Sequence, residues 1–266
     1  MFIKIEKKSR IKKRSGEVIL SNSQTKRKYI SQNTQQKKNL CDIADALRQQ
    51  SSFREAISSY LNAILIDREN ANSYYGLGLC YKNLENYKKA IRYFEKATTV
   101  NPEFYEAFYE LGICHLREGI PCGAIKSFVQ AIKINPEKPD AILQLGIAHQ
   151  ACEEDDMALM IFQKLIENSP KYIKGYEHKA ELLMKLGKYK DASLLFNQII
   201  KINPEYYRAY LGIGKCFEKL GMRVDAQRYY RKFLIKKPNS HNAPFVKSRL
   251  ERLRKLNKSN PFNLIS

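Results

Sequence analysis

An all-α solenoid of six 34-residue helix-turn-helix repeats, closed by a C-terminal capping helix, is the fold this sequence predicts. Three observations predict it. Asn-Pro pairs recur at a 34-residue step, an alanine and an aromatic residue keep fixed places in every period, and glycines break several periods near the middle.

The prolines set the period. Asn101-Pro102 and Asn135-Pro136 lie 34 residues apart, and Pro170, Asn203-Pro204 and Pro238 continue the series. Six repeats follow without insertion or deletion: 37–70, 71–104, 105–138, 139–172, 173–206 and 207–240. A fixed period of this length marks a repeat architecture.

Within each repeat, offset 8 is small: Ala44, Gly78, Gly112, Gly146, Ala180 and Gly214. Offset 20 is always alanine: Ala56, Ala90, Ala124, Ala158, Ala192 and Ala226. Offset 24 is always aromatic: Tyr60, Phe94, Phe128, Phe162, Phe196 and Tyr230. Offset 4 is bulky throughout, from Leu40 to Tyr210. Offsets 4, 7, 8 and 11 share one helical face, as do 20, 24 and 27. Gly119, Gly187 and Gly221 stand between the two sets at offset 15. Each repeat is therefore two helices joined by a tight turn. The small residues let the helices approach, and the aromatic residue fills the space beside them. The proline at offset 32 is expected to open the next helical pair, where its missing N–H does least harm. A single hairpin of this kind cannot bury its apolar face; a stack of them can.

This combination of a bulky residue at 4, Leu or Ile at 7, Gly or Ala at 8, Ala at 20, an aromatic at 24 and Pro at 32 resembles the tetratricopeptide repeat family over residues 37–240. The resemblance implies a right-handed superhelix of paired antiparallel helices. It also implies that the first helix of each pair lines a concave groove, and that the protein scaffolds or binds peptides in place of catalysis. Repeat 1 departs with Ala44 for glycine and Arg68 for proline, as terminal repeats do. Repeat 5 departs with Lys179 at offset 7, which must snorkel outward or distort the packing.

Beyond the repeats, Pro244, Val246, Leu250, Leu253 and Leu256 predict a capping helix over 241–257, with its apolar stripe on the last repeat. The same stripe, flanked by Arg249, Arg252, Arg254 and Lys255, also has the pattern of a basic membrane-surface helix. Residues 258–266 are expected to be a disordered tail.

With the groove on the first helices, its exposed offsets are 2, 5, 9, 12 and 13. In repeats 2 to 4 these place Tyr75, Leu79, Tyr109, Ile113, Leu143 and Ile147 as an apolar partner-binding surface. The alternative for each residue is packing between neighbouring repeats. In repeats 5 and 6 the same offsets read Lys174, Glu177, Glu181, Lys185, Arg208, Lys215, Glu218 and Lys219, a mixed-charge stretch. The Lys-and-Asn pattern at offsets 5 and 9 by which some members of the family grip a C-terminal carboxylate occurs in no repeat.

No catalytic, cofactor or metal site is expected. His115 and His149 share offset 11 with Cys80 and Cys114 near in pattern, but no paired-ligand spacing accompanies them. They are expected to pack as Tyr81 does. Glu153-Glu154-Asp155-Asp156 reads as charge placed at a helix N-terminus, without the alternation or glycine of a calcium loop. Phosphate-cradling glycine loops and nucleophile elbows are absent. The six cysteines follow the repeat and include no C-x-x-C pair, which fits reduced, buried thiols.

The net charge is +20, and it gathers at the ends. Residues 1–36 hold ten Lys or Arg against two Glu, and residues 241–266 hold six against one. Residues 1–36, with Lys7, Lys8, Arg10, Lys12, Lys13 and Arg14 at their head, are expected to be a disordered basic tail. Such charge suits nucleic acid or another acidic partner, and equally a solvated tail without a partner. No secretory h-region and no membrane span are legible. The expected compartment is the cytoplasm, or the nucleus in a eukaryote. The function these features predict is non-catalytic: an adaptor that holds a peptide or helix of a partner protein in the groove.

Overall fold

The computed structural model describes the backbone of residues 12–14, 17–19 and 23–258, and side chains from 35 to 256. Its described residues fall into two units that divide at Glu118–Gly119. In the first, two short strands, β1 (Lys12–Arg14) and β2 (Glu17–Ile19), pair antiparallel, with Lys13 opposite Val18. Five helices follow: α1 (Ser23–Gln49), α2 (Phe53–Ile66), α3 (Ala71–Asn83), α4 (Tyr87–Val100) and α5 (Tyr105–Arg117). The second unit holds α6 (Pro121–Ile134), α7 (Pro139–Ala151), α8 (Asp155–Asn168), α9 (Ile173–Lys185), α10 (Tyr189–Ile202), α11 (Tyr207–Lys219), α12 (Arg223–Lys236) and α13 (Ala243–Lys258). Within each unit every helix packs on the next in sequence, which is the all-α stack of helix pairs.

The period explains the packing. Every alanine at offset 20 is fully buried, and so is the residue at offset 27. In repeats 2, 4 and 6 the aromatic ring at offset 24 fills the space a side chain at offset 8 would need. A Cβ on Gly78 would sit 2.5 Å from the Phe94 ring, on Gly146 2.3 Å from Phe162, and on Gly214 2.6 Å from Tyr230. The next repeat closes on the same ring: a Cβ on Gly76 would meet Tyr60 at 2.3 Å, and one on Gly212 would meet Phe196 at 2.6 Å. Each ring buried this way contributes about 1.5–3 kcal/mol.

The turn between paired helices needs a left-handed residue at offset 15 in all six repeats. Gly119, Gly187 and Gly221 supply it, but so do Ser51 (φ 62°), Glu85 (φ 56°) and Glu153 (φ 62°). The Asn-Pro signal proves to be a stop and not a start. Asn101, Asn135 and Asn203 end α4, α6 and α10 in extended conformation, which a following proline favours. Their side chains accept from the backbone N–H two residues on, at 3.0, 3.3 and 3.0 Å. The proline thus lies in the connecting turn, before the next helix begins. Tyrosines at offset 4 tie onto it: Tyr176 donates to the Pro170 carbonyl at 3.0 Å, and Tyr210 to that of Pro204 at 2.9 Å.

Three expectations need correction. Helix α1 begins at Ser23, so residues 23–36 are helical where a disordered tail was expected; β1 and β2 add a hairpin before it. Between Glu17 and Gly76 there is no Gly or Pro, and Lys, Arg and Gln are good helix formers. Extending a formed helix is also far easier than nucleating one. The thiols are not uniformly buried: Cys80, Cys114 and Cys216 are, Cys41 and Cys152 are half-buried, and Cys122 is exposed. Helix α13 runs to Lys258, one residue past the expected end of the order; the remaining residues to 266 lie outside those described. Its Val246, Leu250 and Leu253 are buried against Tyr210, Leu211, Tyr230 and Phe233.

Candidate functional site

The first helices of the repeats carry the candidate surface, and each unit presents its own part of it. In the first unit a crevice of about 550 Å³ opens between α1 and α3, walled by Lys37, Asp45 and Arg48 on one side and Asn72, Tyr75 and Leu79 on the other. Two of its cations are paired. Lys37 Nζ lies 2.7 Å from Asp67, and Arg48 Nη2 lies 3.1 Å from Asp45. The buried Tyr60 hydroxyl donates to Asp45 at 2.6 Å, and burial holds that phenol neutral well above the usual range. Nearby, Lys82 pairs with Glu110 at 2.7 Å.

The predicted apolar surface divides on inspection. Tyr75 is half-buried, its ring 4.9 Å from Phe104 and 5.7 Å from Phe94. Burial pushes its phenol up to about 12. Leu79 packs against the same cluster, and Tyr109 and Ile113 are half-buried on α5. In the second unit Ile147 is half-buried, but Leu143 is only 3% exposed. Leu143 joins Ile142, Phe162 and Leu182 in the core, because the side chain at its offset there turns toward the following repeat. It is not available to a partner. Of the basic tail, Lys12, Lys13 and Arg14 lie on β1, while Lys7, Lys8 and Arg10 lie outside the described residues.

The mixed-charge stretch of repeats 5 and 6 forms two adjoining crevices. One, about 240 Å³, is lined by Glu177, Glu181, Arg208, Lys215 and His241. Tyr206 donates to Glu177 at 2.6 Å, and Arg208 approaches the same carboxylate at 3.7 Å. Burial, reinforced by Glu177, raises the carboxyl of Glu181 above its ordinary value. The other crevice, about 600 Å³, brings α13 alongside Lys185, Lys215, Glu218 and Lys219. Its Phe245, Arg249 and Arg252 were not singled out by the groove offsets, which stop at the last repeat.

A second missed feature is the residue at offset 34. Phe104 stacks near Tyr75, Tyr172 donates to Asp140 at 2.6 Å, and Tyr206 reaches Glu177. Each closes over the start of its own repeat. Three aromatics in register were a legible sign.

Lys179 does snorkel. It is half-buried, its ammonium donates to Gln163 on α8, and desolvation lowers its pKa. His115 is half-buried with Nδ1 lacking a partner, and burial lowers its pKa. His149 Nδ1 sits 2.5 Å from Glu154. Asp155 answers Lys185 at 2.9 Å, so the acidic run serves both a turn and a neighbour. Among the described residues no three His, Cys, Asp or Glu gather as a metal site, and no helix is long and apolar enough to cross a membrane.

Comparison with known proteins agrees with this architecture. No curated protein matches the chain. Among solved structures, MamA is 26% identical, with a TM-score of 0.56, over 61% of this chain and 95% of its own. YrrB, described as a TPR protein with an unusual peptide-binding site, is 25% identical, with a TM-score of 0.58, over 71% and 96%. PilW, a type IV pilus biogenesis factor, shares the fold at 20% identity and a TM-score of 0.65, over 79% and 97%. Models of the tetratricopeptide repeat match residues 44–85, 71–104, 140–172 and 179–241, together more than half of the sequence. The chain belongs to the tetratricopeptide repeat family.

Proposed function

We propose that the protein is a non-catalytic scaffold that holds a peptide or helix of a partner protein against the first helices of its repeats. The observation that carries this reading is the half-buried apolar set on α3 and α5, Tyr75, Leu79, Tyr109 and Ile113, beside a crevice in which Lys37 and Arg48 are already paired. Half-buried aromatic and aliphatic side chains beside a crevice suit partner anchors, since a bound side chain completes their burial. Likeness to YrrB, itself described as having a peptide-binding site, supports the same reading.

The test is co-purification of partners on the full chain and on Tyr109→Ala/Ile113→Asp. Loss of specific partners from the double variant, with helicity retained, is the expected result. Equal capture by both proteins overturns the assignment of this face.

A second reading rests on charge. Residues 1–36 carry ten Lys or Arg against two Glu, and α1 extends that basic stretch as helix. Association with nucleic acid or an anionic surface through it is expected to weaken steeply with salt and to vanish on deleting residues 1–36. RNA and heparin binding unchanged by that deletion removes this reading.

A further inference from the structure

The crevice between the last repeat and α13 holds more positive charge than the fold uses. Five cations line it: Lys185, Lys215, Lys219, Arg249 and Arg252. Lys185 is answered by Asp155 at 2.9 Å, and Arg249 by Glu218 at 3.3 Å. Lys215, Lys219 and Arg252 are exposed and form no ion pair among the described residues, though Glu181 stands near Lys215. Glu218 is the one carboxylate in the lining, and it also accepts from the buried Tyr230 hydroxyl at 2.6 Å.

An aromatic residue stands in the middle of this charge. Phe245, 44% exposed, has Lys215 Nζ 5.8 Å and the Arg249 guanidinium 5.5 Å from its ring centroid. Cations over a ring hold it in place while leaving its remaining surface open. Met184 and Tyr189 extend the apolar wall.

We propose that this crevice binds an acidic segment of a partner protein, with an apolar side chain set against Phe245 and Met184 and neighbouring carboxylates on Lys215, Lys219 and Arg252. Unpaired cations at a rim steer and select carboxylates. A nucleic-acid strand fits less well. It repeats its charge at every nucleotide and would meet Glu218 on the crevice wall, whereas a peptide can present an uncharged side chain there. The inference rests on the scaffold reading above, but uses different residues.

The experiment measures fluorescence anisotropy of the full chain with a labelled peptide of glutamates around a central phenylalanine. Controls are its glutamine counterpart and an oligothymidylate of matched charge. Binding of the acidic peptide alone is expected, weakened at least about tenfold by Lys219→Glu/Arg252→Glu. Phe245→Ala leaves the net charge unchanged and is expected to weaken it about fivefold. Arg252→Gln changes an exposed residue and serves should Phe245→Ala perturb folding. Lys12→Glu/Lys13→Glu is expected to have less than about a twofold effect. Affinity insensitive to both Phe245→Ala and Arg252→Gln, an equal loss from the Lys12/Lys13 variant, or displacement by the oligothymidylate each overturns the proposal. If the crevice variants fail while Tyr109→Ala/Ile113→Asp still loses partners, only the crevice falls; the reverse outcome removes only the first-unit face.

Discussion

The two units solve the same packing problem and leave different surfaces behind. Around Tyr75 in the first, two of the three crevice cations, Lys37 and Arg48, are met by Asp67 and Asp45, Lys38 stays exposed, and the Tyr75 ring lies against Phe104. Around Phe245 in the second, Lys215, Lys219 and Arg252 are exposed and form no ion pair among the described residues, with Glu181 near Lys215. Identical repeat chemistry therefore does not dictate a uniform face. The core offsets are shared, while the outer offsets of the first helices differ from repeat to repeat, buried in some, as at Leu143 and Glu177, and exposed in others.

Matched substitutions, one in each unit, test how far the likeness goes. The largest effect is expected from Phe94→Ala and Phe162→Ala. Both rings are fully buried beside a glycine, so each loss is expected to cost about 3–5 kcal/mol in denaturant unfolding. Strongly unequal losses would break the claim that both units share one packing rule.

Next come Tyr60→Phe and Tyr230→Phe. Each removes a hydroxyl that donates to a carboxylate at 2.6 Å, and each is expected to destabilise by about 1.5 kcal/mol. A neutral result at Tyr230 alone would mean that Arg249 satisfies Glu218 unaided. The turns provide a smaller pair with the opposite sign. Glu85→Gly and Glu153→Gly relieve left-handed backbone and are expected to stabilise by about 1 kcal/mol each. Gly187→Ala, with open space around it, should lose a similar amount.

The smallest effect is a pH dependence from His115 in the first unit. Burial lowers the pKa of His115 from 6.5. The unfolded chain therefore binds this proton more readily than the folded one, and the stability is present above about pH 6.5 and lost as pH falls through the folded value. His115→Gln is expected to flatten the fall in thermal midpoint between pH 7.5 and 5.5. An acid limb as steep as that of the unsubstituted protein would show that His115 does not contribute to it.

Some of the site could be read from residue order and some could not. Tyr75, Leu79, Tyr109 and Ile113 were expected on the groove side from the family resemblance and helical spacing, and all four are half-buried on α3 and α5. Leu143 has the same offset as Tyr75 and Tyr109 but is buried, since helical spacing gives direction from an axis and not the identity of what lies there. Leu182 on the following repeat closes that position. Phe245 escaped the reading because α13 follows no repeat, so no offset predicts which of its sides faces the crevice.

The order of residues alone determined the period, the paired helices, the alanine and aromatic core positions, and the charge gathered toward the ends. These depend on spacing along one helix, where neighbours are fixed by 3.6 residues per turn. Only the tertiary structure decided that the proline closes a repeat and does not open one, that α1 extends back to Ser23, and which cations are left without partners. Those outcomes turn on residues distant in sequence meeting across helices, and pairing of that kind is settled by packing, not by periodicity.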